Sequence, residues 1–392
     1  MGAGDGRTAA VSLWIVAGLA LSYLTLLAAK AFLALHVARR ETRAPASTGA
    51  GVTIAQPILS GDPRLASVLA ENLRELPDAQ FLWLVDEDDP VAQTVGRELA
   101  ARHPDVRIDV QVCPPPPEGI NPKLWKLDLA RPAIREAVLL VLDDDTRMPA
   151  ATLGALLHAL EDHQLATSLP GYLDDGRSPS RLLAQFVDNN AALLYLPLLP
   201  FLPPPTINGM AYALRTAFLD QLGGFAPLLR SLTDDLAVAE QVLAAGGRIF
   251  QSARPHWVET TVRDGRHYVQ LMHRWFLFAL LLLRKQRLGL RVLISVLGAL
   301  PSLLLGALLV AAGLAWSVPA AGVLLGCLAL RACGLVALQR ILYGRALHAP
   351  FSSLLSELGQ PLHLLHAVVW RRIIWRTRHY RVYDDRRFET VR

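Results

Sequence analysis

Cysteine is scarce in this chain, which argues against two kinds of stabilising centre. Three cysteines occur among 392 residues, at positions 113, 327 and 333. Disulfide frameworks and zinc sites need paired or closely spaced ligands, and these three cysteines have no such spacing. Two of them also lie within a long apolar segment. We therefore expect neither a disulfide framework nor a zinc site.

A large positive charge is also absent, although the isoelectric point is basic. The formal net charge is only +5, with a pI near 9.3. Eight arginines fall within the last 22 residues, beside apolar segments. Basic residues in such positions set membrane topology or meet anionic lipid headgroups. We therefore expect a lipid bilayer, and no nucleic acid, as the partner of these charges.

Apolar residues, in contrast, are abundant and unevenly distributed. They make up 52% of the chain, and the mean hydropathy is +0.31. Residues 11–37 and 288–342 form long runs with almost no charge, whereas residues 41–270 have the composition of a soluble domain. A membrane-spanning helix needs roughly 20 apolar residues. The sequence therefore predicts a multi-pass membrane protein with one large extramembrane domain.

The first apolar run is interpreted as a retained membrane helix within residues 1–40. It is longer than the roughly 7–15-residue core of a signal peptide and has no clear small-residue cleavage site. Arg39, Arg40 and Arg43 follow this run, and positive residues mark the cytoplasmic side of a span. We therefore predict that the domain over residues 41–270 lies in the cytoplasm.

The C-terminal membrane region is predicted over residues 288–370. About 27 apolar residues from Leu288 and roughly 24 from Val318 are each enough for a full span. Arg331 lies inside the second run, where a charge must face protein or a polar cavity. A weaker run over residues 351–370 contains Gly359, Pro361, His363 and His366, so we predict a re-entrant or interfacial segment there.

The basic tail, residues 371–392, is expected on the cytoplasmic side, which requires an even number of crossings after the domain. Two spans satisfy this requirement. A third full span, offset by a crossing at residues 276–287, is the alternative. That stretch has only about eight apolar residues before Arg284 and Lys285, too few to cross. Residues 271–287 are therefore predicted to form an amphipathic interfacial segment.

The large domain alternates strand-like and helix-like segments. Helical patterns cover Leu65–Leu76 and Val91–Ala101. The strand candidates are VTIAQPIL, FLWLVD, VRIDVQVC, AVLLVLDDD, LATSLPGYL and GRIFQSA. Such alternation predicts an α/β domain with a mostly parallel sheet. Ligands bind at the carboxyl ends of the strands in such sheets, and two acidic clusters fall at those ends.

The first of these clusters is LDDDTR, in which Asp143 and Asp145 have a D-x-D spacing around Asp144. In a strand-to-loop turn both carboxylates could converge on one divalent ion. Hard oxygen ligands suit Mg²⁺ or Mn²⁺, which in turn bridges phosphate oxygens. A solvated acidic turn is the alternative.

The second acidic cluster is VDEDDP, which contains Asp86, Asp88 and Asp89. A carboxylate at a strand end could accept a hydrogen bond from a nucleobase N–H or a ribose hydroxyl. The alternative is an acidic helix N-terminus that begins at Pro90.

Three other stretches offer candidate residues, each with an ordinary structural alternative. Asp234 and Asp235 open a predicted helix, so one of them could cap it while the other deprotonates a hydroxyl. Asn208 and Gly209 form a turn where backbone could approach a ligand. Lys123 follows a proline-rich loop and could meet a phosphate or simply be solvated.

Arg274 and Trp275 stand directly before a run of eight apolar residues. Both residue types favour the membrane interface and could anchor a helix there. They could equally serve a site at the membrane face, with Arg274 meeting a diphosphate and Trp275 contacting an acceptor.

The order of these motifs resembles that of a known enzyme family. The series is QPILSGDP, DEDDP, GINPK, DDDTR, NGM…DQLGGF, TDD, HRW and WRTRHYR. It resembles the ceramide glucosyltransferase branch of the family 2 glycosyltransferases, from about Gln56 to Tyr380. Hopanoid-associated glycosyltransferases of bacteria look like close relatives.

This resemblance implies a GT-A fold and a bacterial enzyme of the inner membrane. It implies inverting transfer of a single hexose, of glucose or N-acetylglucosamine type, from a UDP-sugar to the hydroxyl of a membrane lipid. A ceramide or ceramide-like acceptor and a divalent metal, Mg²⁺ or Mn²⁺, are also implied. A processive polysaccharide synthase and a catalytically inactive membrane scaffold of the same fold are the alternatives.

The resemblance also implies roles for individual residues. Asp143 and Asp145 would hold the metal, Asp88 or Asp89 the nucleoside, and Asp235 would be the base, with Arg274 and Trp275 completing the catalytic group. The further residues expected to bind the nucleotide sugar are Asp86, Lys123, Asp144, Asn208, Gly209, Asp234 and His273.

One position departs from the Gln/Arg-x-x-Arg-Trp signature of the family. Leu271 stands where that signature has glutamine or arginine, and Gln270 is one residue earlier. On a helix, one residue corresponds to about 100° of rotation. His273 could partly substitute for the missing polar group. Asp234 also stands where relatives often carry glutamate.

Overall fold

A computed structural model describes residues 2–375 and 378–390. Twelve α-helices and eleven β-strands are present in these residues. The helices are α1 (Gly2–Arg40), α2 (Leu65–Glu75), α3 (Pro90–Arg102), α4 (Pro122–Ala130), α5 (Ala150–Ala159), α6 (Ser178–Tyr195), α7 (Thr216–Gln221), α8 (Asp234–Ala244), α9 (Gly265–Lys285), α10 (Leu288–Ala315), α11 (Val318–Tyr343) and α12 (Pro350–Val369). The strands are β1 (Val52–Ile58), β2 (Gln80–Asp86), β3 (Arg107–Cys113), β4 (Val138–Leu142), β5 (Thr146–Arg147), β6 (Leu165–Tyr172), β7 (Ala211–Arg215), β8 (Ile249–Val258), β9 (Arg372–Trp375), β10 (Arg378–Val382) and β11 (Phe388–Thr390).

The central sheet has eight strands in the order β3-β2-β1-β4-β7-β6-β8-β5. Strands β3, β2, β1 and β4 are parallel, as the sequence pattern predicts. Strand β7 then pairs antiparallel with both β4 and β6, and β5 is antiparallel to β8. The expectation of a mostly parallel sheet is therefore corrected to a mixed one. The antiparallel pairs come from β7 and from the two-residue strand β5, which the hydrophobic pattern does not distinguish.

Both faces of this sheet are covered, which explains why β2 is apolar along almost its whole length. Phe81, Trp83 and Val85 belong to one buried cluster, and Leu82 and Leu84 belong to the cluster on the other face. This alternation is the two-residue period of a strand. A strand that is buried on both faces has a nearly continuous hydrophobic sequence. The acidic residues that follow β2 and β4 are thus held at the carboxyl edge of a rigid sheet.

Three helices are long and apolar enough to cross a membrane: Ser12–Arg40 within α1, α10 and α11. Helix α12, predicted as re-entrant or interfacial, is not among them and packs along α9, α6 and α10. Arg331 of α11 is only 3% exposed, as its mid-span position requires. Its guanidinium lies 2.6 Å from Glu357 of α12 and donates to the Tyr23 hydroxyl of α1 at 2.8 Å. A buried charge at this depth is thus paired within the protein.

The C-terminal residues form a three-stranded antiparallel sheet of β9, β10 and β11. Residues 371–392 are predicted from the sequence only to form a basic tail, so this sheet is a new feature. Part of the WRTRHYR motif, Arg376 and Thr377, lies outside the described residues. The sheet contacts the large domain, where Leu232 N donates to Asp385 O at 2.7 Å. Helices α10 and α11 therefore lead the chain away from the large domain and back to it.

Candidate active site

A cavity of about 1150 Å³ extends from the carboxyl edge of the sheet to the apolar helices. One end, hereafter the polar end, carries most of the predicted site residues: Asp86, Asp88, Asp89, Lys123, Asp143, Asp144, Asn208, Gly209, Asp234, Asp235 and Arg274. The other end, hereafter the apolar end, is lined by side chains of α6, α9, α10 and α12, including Phe186, Phe278, Ile294, Leu297, Leu303 and Leu364. One continuous space thus joins a charged pocket to a hydrophobic one.

Lys123 connects the two acidic motifs at the polar end. Its Nζ lies 2.8 Å from Asp143 Oδ1 and 2.8 Å from Asp234 Oδ2, and it donates to Gly209 O at 2.7 Å. The residue is held rigidly because Asn121 caps α4 and accepts from Lys123 N at 2.9 Å. Burial alone would lower the pKa of Lys123, but Asp143 and Asp234 raise it well above its usual value. Lys123 therefore stays charged and joins two carboxylates, so the solvated alternative is wrong.

Asp235 has the environment of a proton acceptor. It lies in the first turn of α8, borders the cavity and accepts from Leu236 N at 2.8 Å. Burial, followed by the neighbouring charge of Asp234, raises the pKa of Asp235 to about 7. A carboxylate with such a pKa can take up a proton near neutral pH. The turn at Gly209 packs closely here, since a Cβ at Gly209 would lie 3.1 Å from Asp235 Cβ.

The three consecutive aspartates after β4 have different surroundings. Asp143 is half-buried and borders the cavity, whereas Asp144 is buried and accepts from Leu59 N at 2.8 Å. Asp145 does not border the cavity, and its Oδ2 accepts from the Thr260 hydroxyl at 2.5 Å. The Asp144 carboxylate therefore fixes the loop after β1 to the loop after β4.

The chemistry of Asp143 and Asp145 fits a divalent ion that is shared with a ligand. Within residues 2–375 and 378–390, no three His, Cys, Asp or Glu side chains form a cluster that could hold a metal by themselves. Mg²⁺ is, however, commonly bound through only one or two carboxylates, and substrate phosphates and water complete its coordination. Asp143 borders the cavity and could supply one such carboxylate, whereas Asp145 lies on the same strand-end loop but outside the cavity lining.

The acidic turn after β2 caps a helix and also leaves one carboxylate exposed at the cavity. Asp89 caps α3 by accepting from Ala92 N at 3.0 Å, and it also accepts from Ser60 N at 2.7 Å. Asp86 pairs with Lys126 Nζ at 2.9 Å. Asp88 is exposed and borders the cavity. Of these three carboxylates, Asp88 is thus the most accessible to a ligand, while Asp89 shapes the turn.

Arg274 and Trp275 border the cavity from α9. The Trp275 ring stacks on Phe186 and meets the edge of Tyr172, with centroids 6.1 and 5.8 Å apart. Leu271 is buried in the same cluster as Tyr172 and Trp275. At the position where the family signature has glutamine or arginine, this chain therefore has a core residue, Leu271.

His273 lies outside the cavity lining, contrary to the expectation that it substitutes for the missing polar group. Its Nε2 lies 2.9 Å from the Arg372 carbonyl oxygen, and its ring centroid is 4.3 Å from that of His366. One residue along a helix turns the side chain by about 100°. His273 thus contacts α12 and β9 while Arg274 borders the cavity.

The sequence model of glycosyl transferase family 21 matches residues 13–388, nearly the whole chain. The chain belongs to glycosyl transferase family 21. This result confirms the resemblance to ceramide glucosyltransferases at the level of the family. The hopanoid-associated branch and a bacterial source remain predictions.

A solved structure shows the same fold at low sequence identity. The mannosyltransferase PcManGT from Pyrobaculum calidifontis, in complex with GDP-Man and Mn²⁺, has a TM-score of 0.53 at 15% identity, covering 91% of this chain and 98% of that one. GalNAc-T7 with UDP, GalNAc and Mn²⁺ has a TM-score of 0.41 at 10% identity, with coverages of 57% and 47%. S. aureus TarS with UDP-GlcNAc has a TM-score of 0.37 at 11% identity, with coverages of 85% and 97%. The predicted GT-A fold is confirmed, and this family 21 member is a glycosyltransferase.

Several residues of this glycosyltransferase site are absent from the sequence-based prediction. Tyr195 at the end of α6 borders the cavity, and burial together with the charge of Asp235 raises its pKa to about 12. Ser302 of α10 and Gln360 of α12 border the cavity at the apolar end. Tyr380 of β10 also borders the cavity. These residues belong to no local motif, so only their tertiary placement reveals them.

Proposed function

We propose that this protein transfers a single hexose, of glucose or N-acetylglucosamine type, from a UDP-sugar to a hydroxyl of a membrane lipid, with inversion of configuration. The observation that supports this proposal is the continuous cavity between the charged strand ends and the helices α10 and α12. A lipid whose chains occupy the apolar end can bring its hydroxyl to the polar end. A water-soluble acceptor would leave that apolar end without a use.

The donor diphosphate is proposed to lie between Asp143 and Arg274, which border the same cavity. Asp143 and Asp145 would hold Mg²⁺ or Mn²⁺, and such an ion stabilises the negative charge on the leaving diphosphate. The cationic Arg274 adds a fixed positive charge for the same group. Asp88 is the exposed carboxylate that is available to the nucleoside.

Asp235 is proposed as the general base that takes the proton from the lipid hydroxyl while its oxygen attacks the anomeric carbon. The bond from that carbon to the diphosphate breaks in the same step, so the configuration inverts. A pKa of about 7 leaves much of the Asp235 population ionised at neutral pH while keeping it a useful base. The pair of Lys123 with Asp234 holds the carboxylate next to Asp235 in a fixed place.

The acceptor is proposed to be a ceramide or a ceramide-like lipid. The apolar end contains one polar pair, in which the Ser302 hydroxyl donates to Gln360 Oε1 at 3.3 Å. Gln360 is only 7% exposed, and its Nε2 has no hydrogen-bond partner within the described residues. An unpaired buried amide favours a ligand that satisfies it. An acyl carbonyl near the reacting hydroxyl would do so.

The protein is proposed to lie in the bacterial inner membrane with this site facing the cytoplasm. Three helices of sufficient length and apolarity support membrane insertion. Arg39 and Arg40 at the end of α1 support the orientation by the positive-inside bias. The cytoplasm is also where nucleotide sugars are made available to such a site.

A single experiment tests the proposed reaction. The full chain in native membranes is incubated with a panel of labelled UDP-sugars and a total lipid extract, and labelled products are identified by mass. We expect one lipid that carries one hexose, formed only when a divalent ion is present, and no product with the Asp235→Asn variant. A ladder of products would instead indicate a processive polymerase, and an absence of any labelled product would indicate an inactive scaffold.

A further inference from the structure

The C-terminal sheet places a buried carboxylate against the start of the helix that carries Asp235. Asp385 lies in the turn between β10 and β11 and is only 3% exposed, although Asp384, Arg386 and Arg387 around it are exposed. Its Oδ1 accepts from Thr233 N at 3.0 Å and also from the Thr233 hydroxyl. A buried carboxylate in an otherwise exposed turn is thus directed at one residue of the large domain.

Thr233 is the residue from which α8 begins, and Asp235 is two residues further along. Within α8 the Thr233 side chain makes no capping hydrogen bond of its own. Asp385 instead fixes both the N–H and the hydroxyl of Thr233 from outside the helix. A negative charge is also favourable beside a helix N-terminus. The contact therefore sets the direction in which the chain enters the turn that holds Asp235.

Asp385 also connects this turn to α9. Its Oδ2 lies 2.8 Å from Lys285 Nζ, at the end of the helix that carries Arg274 and Trp275. Lys285 pairs with Glu240 of α8 at 2.8 Å as well. Thr233 donates to Oδ1 of Asp385 and Lys285 pairs with Oδ2. Both oxygens of this buried carboxylate therefore have a partner, as a buried charge requires. The C-terminal sheet thus joins α8 and α9, two of the helices that border the polar end of the cavity.

We propose that Asp385 is a positioning residue for transfer, holding Asp235 and α9 in their relative places so that the C-terminal sheet is part of the active site. This inference rests on the proposed role of Asp235 as the base. It implies that residues 378–390 contribute to turnover although only Tyr380 among them borders the cavity.

The charge of Asp385 has a second effect on Asp235. Burial and Asp234 contribute most to the raised pKa of Asp235, and the charge of Asp385 raises it further. The titratable groups whose charges act on or respond to Asp235 are Asp234 of α8, Lys123 of α4, Asp385 of the C-terminal sheet, Tyr195 of α6 and Tyr212 of β7. Removal of the Asp385 charge should therefore lower the pKa of Asp235.

The test compares Asp385→Asn and Asp385→Ala with a matched control, Asp384→Asn, in the full chain. Asp384 is exposed, and its carboxylate accepts only from Arg386 N and Arg387 N within its own turn. Asparagine at 385 keeps an acceptor for Thr233 but removes the charge and the pair with Lys285. The measurements are kcat, KM for the UDP-sugar, and the dependence of kcat on pH.

For Asp385→Ala we expect kcat to fall by up to about 10²-fold, since a small misplacement of a catalytic group has an effect of that size. KM for the donor should stay unchanged. For Asp385→Asn the acid limb of the pH profile should move to lower pH, because Asp235 loses a neighbouring negative charge. A purely structural role would reduce the amount of active enzyme without moving this limb. Asp384→Asn should match the wild type in every measurement.

A double-mutant cycle with Thr233→Val examines the contact itself. If the two residues act together, the combined effect of Thr233→Val and Asp385→Ala on kcat will be smaller than the product of the single effects. Strict multiplicativity, or a wild-type kcat and pH profile in Asp385→Asn and Asp385→Ala, would overturn the inference. Retention of turnover by Asp235→Asn would instead overturn the base assignment, so the two failures are distinguishable.

Discussion

The two ends of the cavity differ in how their groups are held. At the polar end nearly every charge has a partner inside the protein: Lys123 joins Asp143 and Asp234, and Lys126 joins Asp86. At the apolar end the side chains of α10 and α12 offer surface but few polar contacts, and the Gln360 amide nitrogen has no partner in the described residues. A preorganised set of charges suits chemistry, which requires fixed electrostatics. A surface with little hydrogen bonding suits the flexible chains of a lipid.

Loss of the base should have the largest effect and should be confined to the polar end. A general base contributes about 10²–10⁴-fold to a rate, so we expect Asp235→Asn to reduce kcat by that factor. KM for the donor should change little, because Asp235 is proposed to contact the acceptor hydroxyl. Steady-state kinetics with Asp162→Asn, an exposed aspartate, as the control will check this. Turnover near the wild-type level would refute the base assignment.

Removal of the buried cation should show how strongly the charges of the polar end depend on each other. Lys123→Met leaves Asp143 and Asp234 without their shared partner, and breaking a buried pair costs about 3–5 kcal/mol. The control is Arg131→Met, whose pair with Asp220 is more exposed and should contribute at most about 1 kcal/mol. The free energy of unfolding in detergent is the measurement. Equal losses for both variants would contradict the proposed interdependence.

The pH dependence should reflect the polar end alone. Asp235 acts as a base only when it is ionised, and its pKa is raised to about 7. Below that pH, kcat should therefore fall about tenfold per unit as the carboxylate is protonated, and above it kcat should level off. A profile that stays flat between about pH 5 and 8 would contradict the assignment.

The smallest effect is expected at the apolar end. Gln360→Leu removes one hydrogen bond to the acceptor, which is worth about 1 kcal/mol, so KM for the lipid should rise about fivefold while KM for the donor is unchanged. Leu362→Ala on the same helix, 69% exposed, is the control. An acceptor without a carbonyl should not distinguish Gln360→Leu from the wild type. A change in KM for the donor would contradict the separation of the two ends.

The polar end was largely predictable from the sequence because its residues belong to short motifs that follow strands. Local spacing singled out Asp143 with Asp145 and the pair Asp234 and Asp235, whereas the choice of Asp235 as the base came from the family resemblance. For the acidic turn after β2, the two interpretations as a ligand-binding cluster and as a helix cap are compatible. Asp89 caps α3, while Asp88 remains exposed. The strand direction of β7 was not predictable, since hydrophobic periodicity is the same in parallel and antiparallel strands.

The apolar end and the C-terminal sheet could not be predicted for a different physical reason. Gln360 meets Ser302 across 58 residues and Asp385 meets Thr233 across 152, and nothing in their neighbouring sequence indicates a partner. His273 illustrates the same limit, because a residue next to a functional arginine points elsewhere on a helix. Local patterns identify chemistry that one segment contains, whereas contacts between distant segments appear only in the folded chain.

The pairing of Arg331 has a consequence for biosynthesis. Glu357 follows Arg331 by 26 residues, while Tyr23 precedes it by 308. When α11 first enters the bilayer, its guanidinium has the tyrosine hydroxyl of the earliest helix available but not yet the carboxylate that neutralises it. A charge at the centre of a span costs about 2.5–3.5 kcal/mol on insertion scales. The Arg331 guanidinium therefore gains the carboxylate that neutralises it only after α12 has been synthesised, and a chain that ends before residue 357 should be less stable than the full chain.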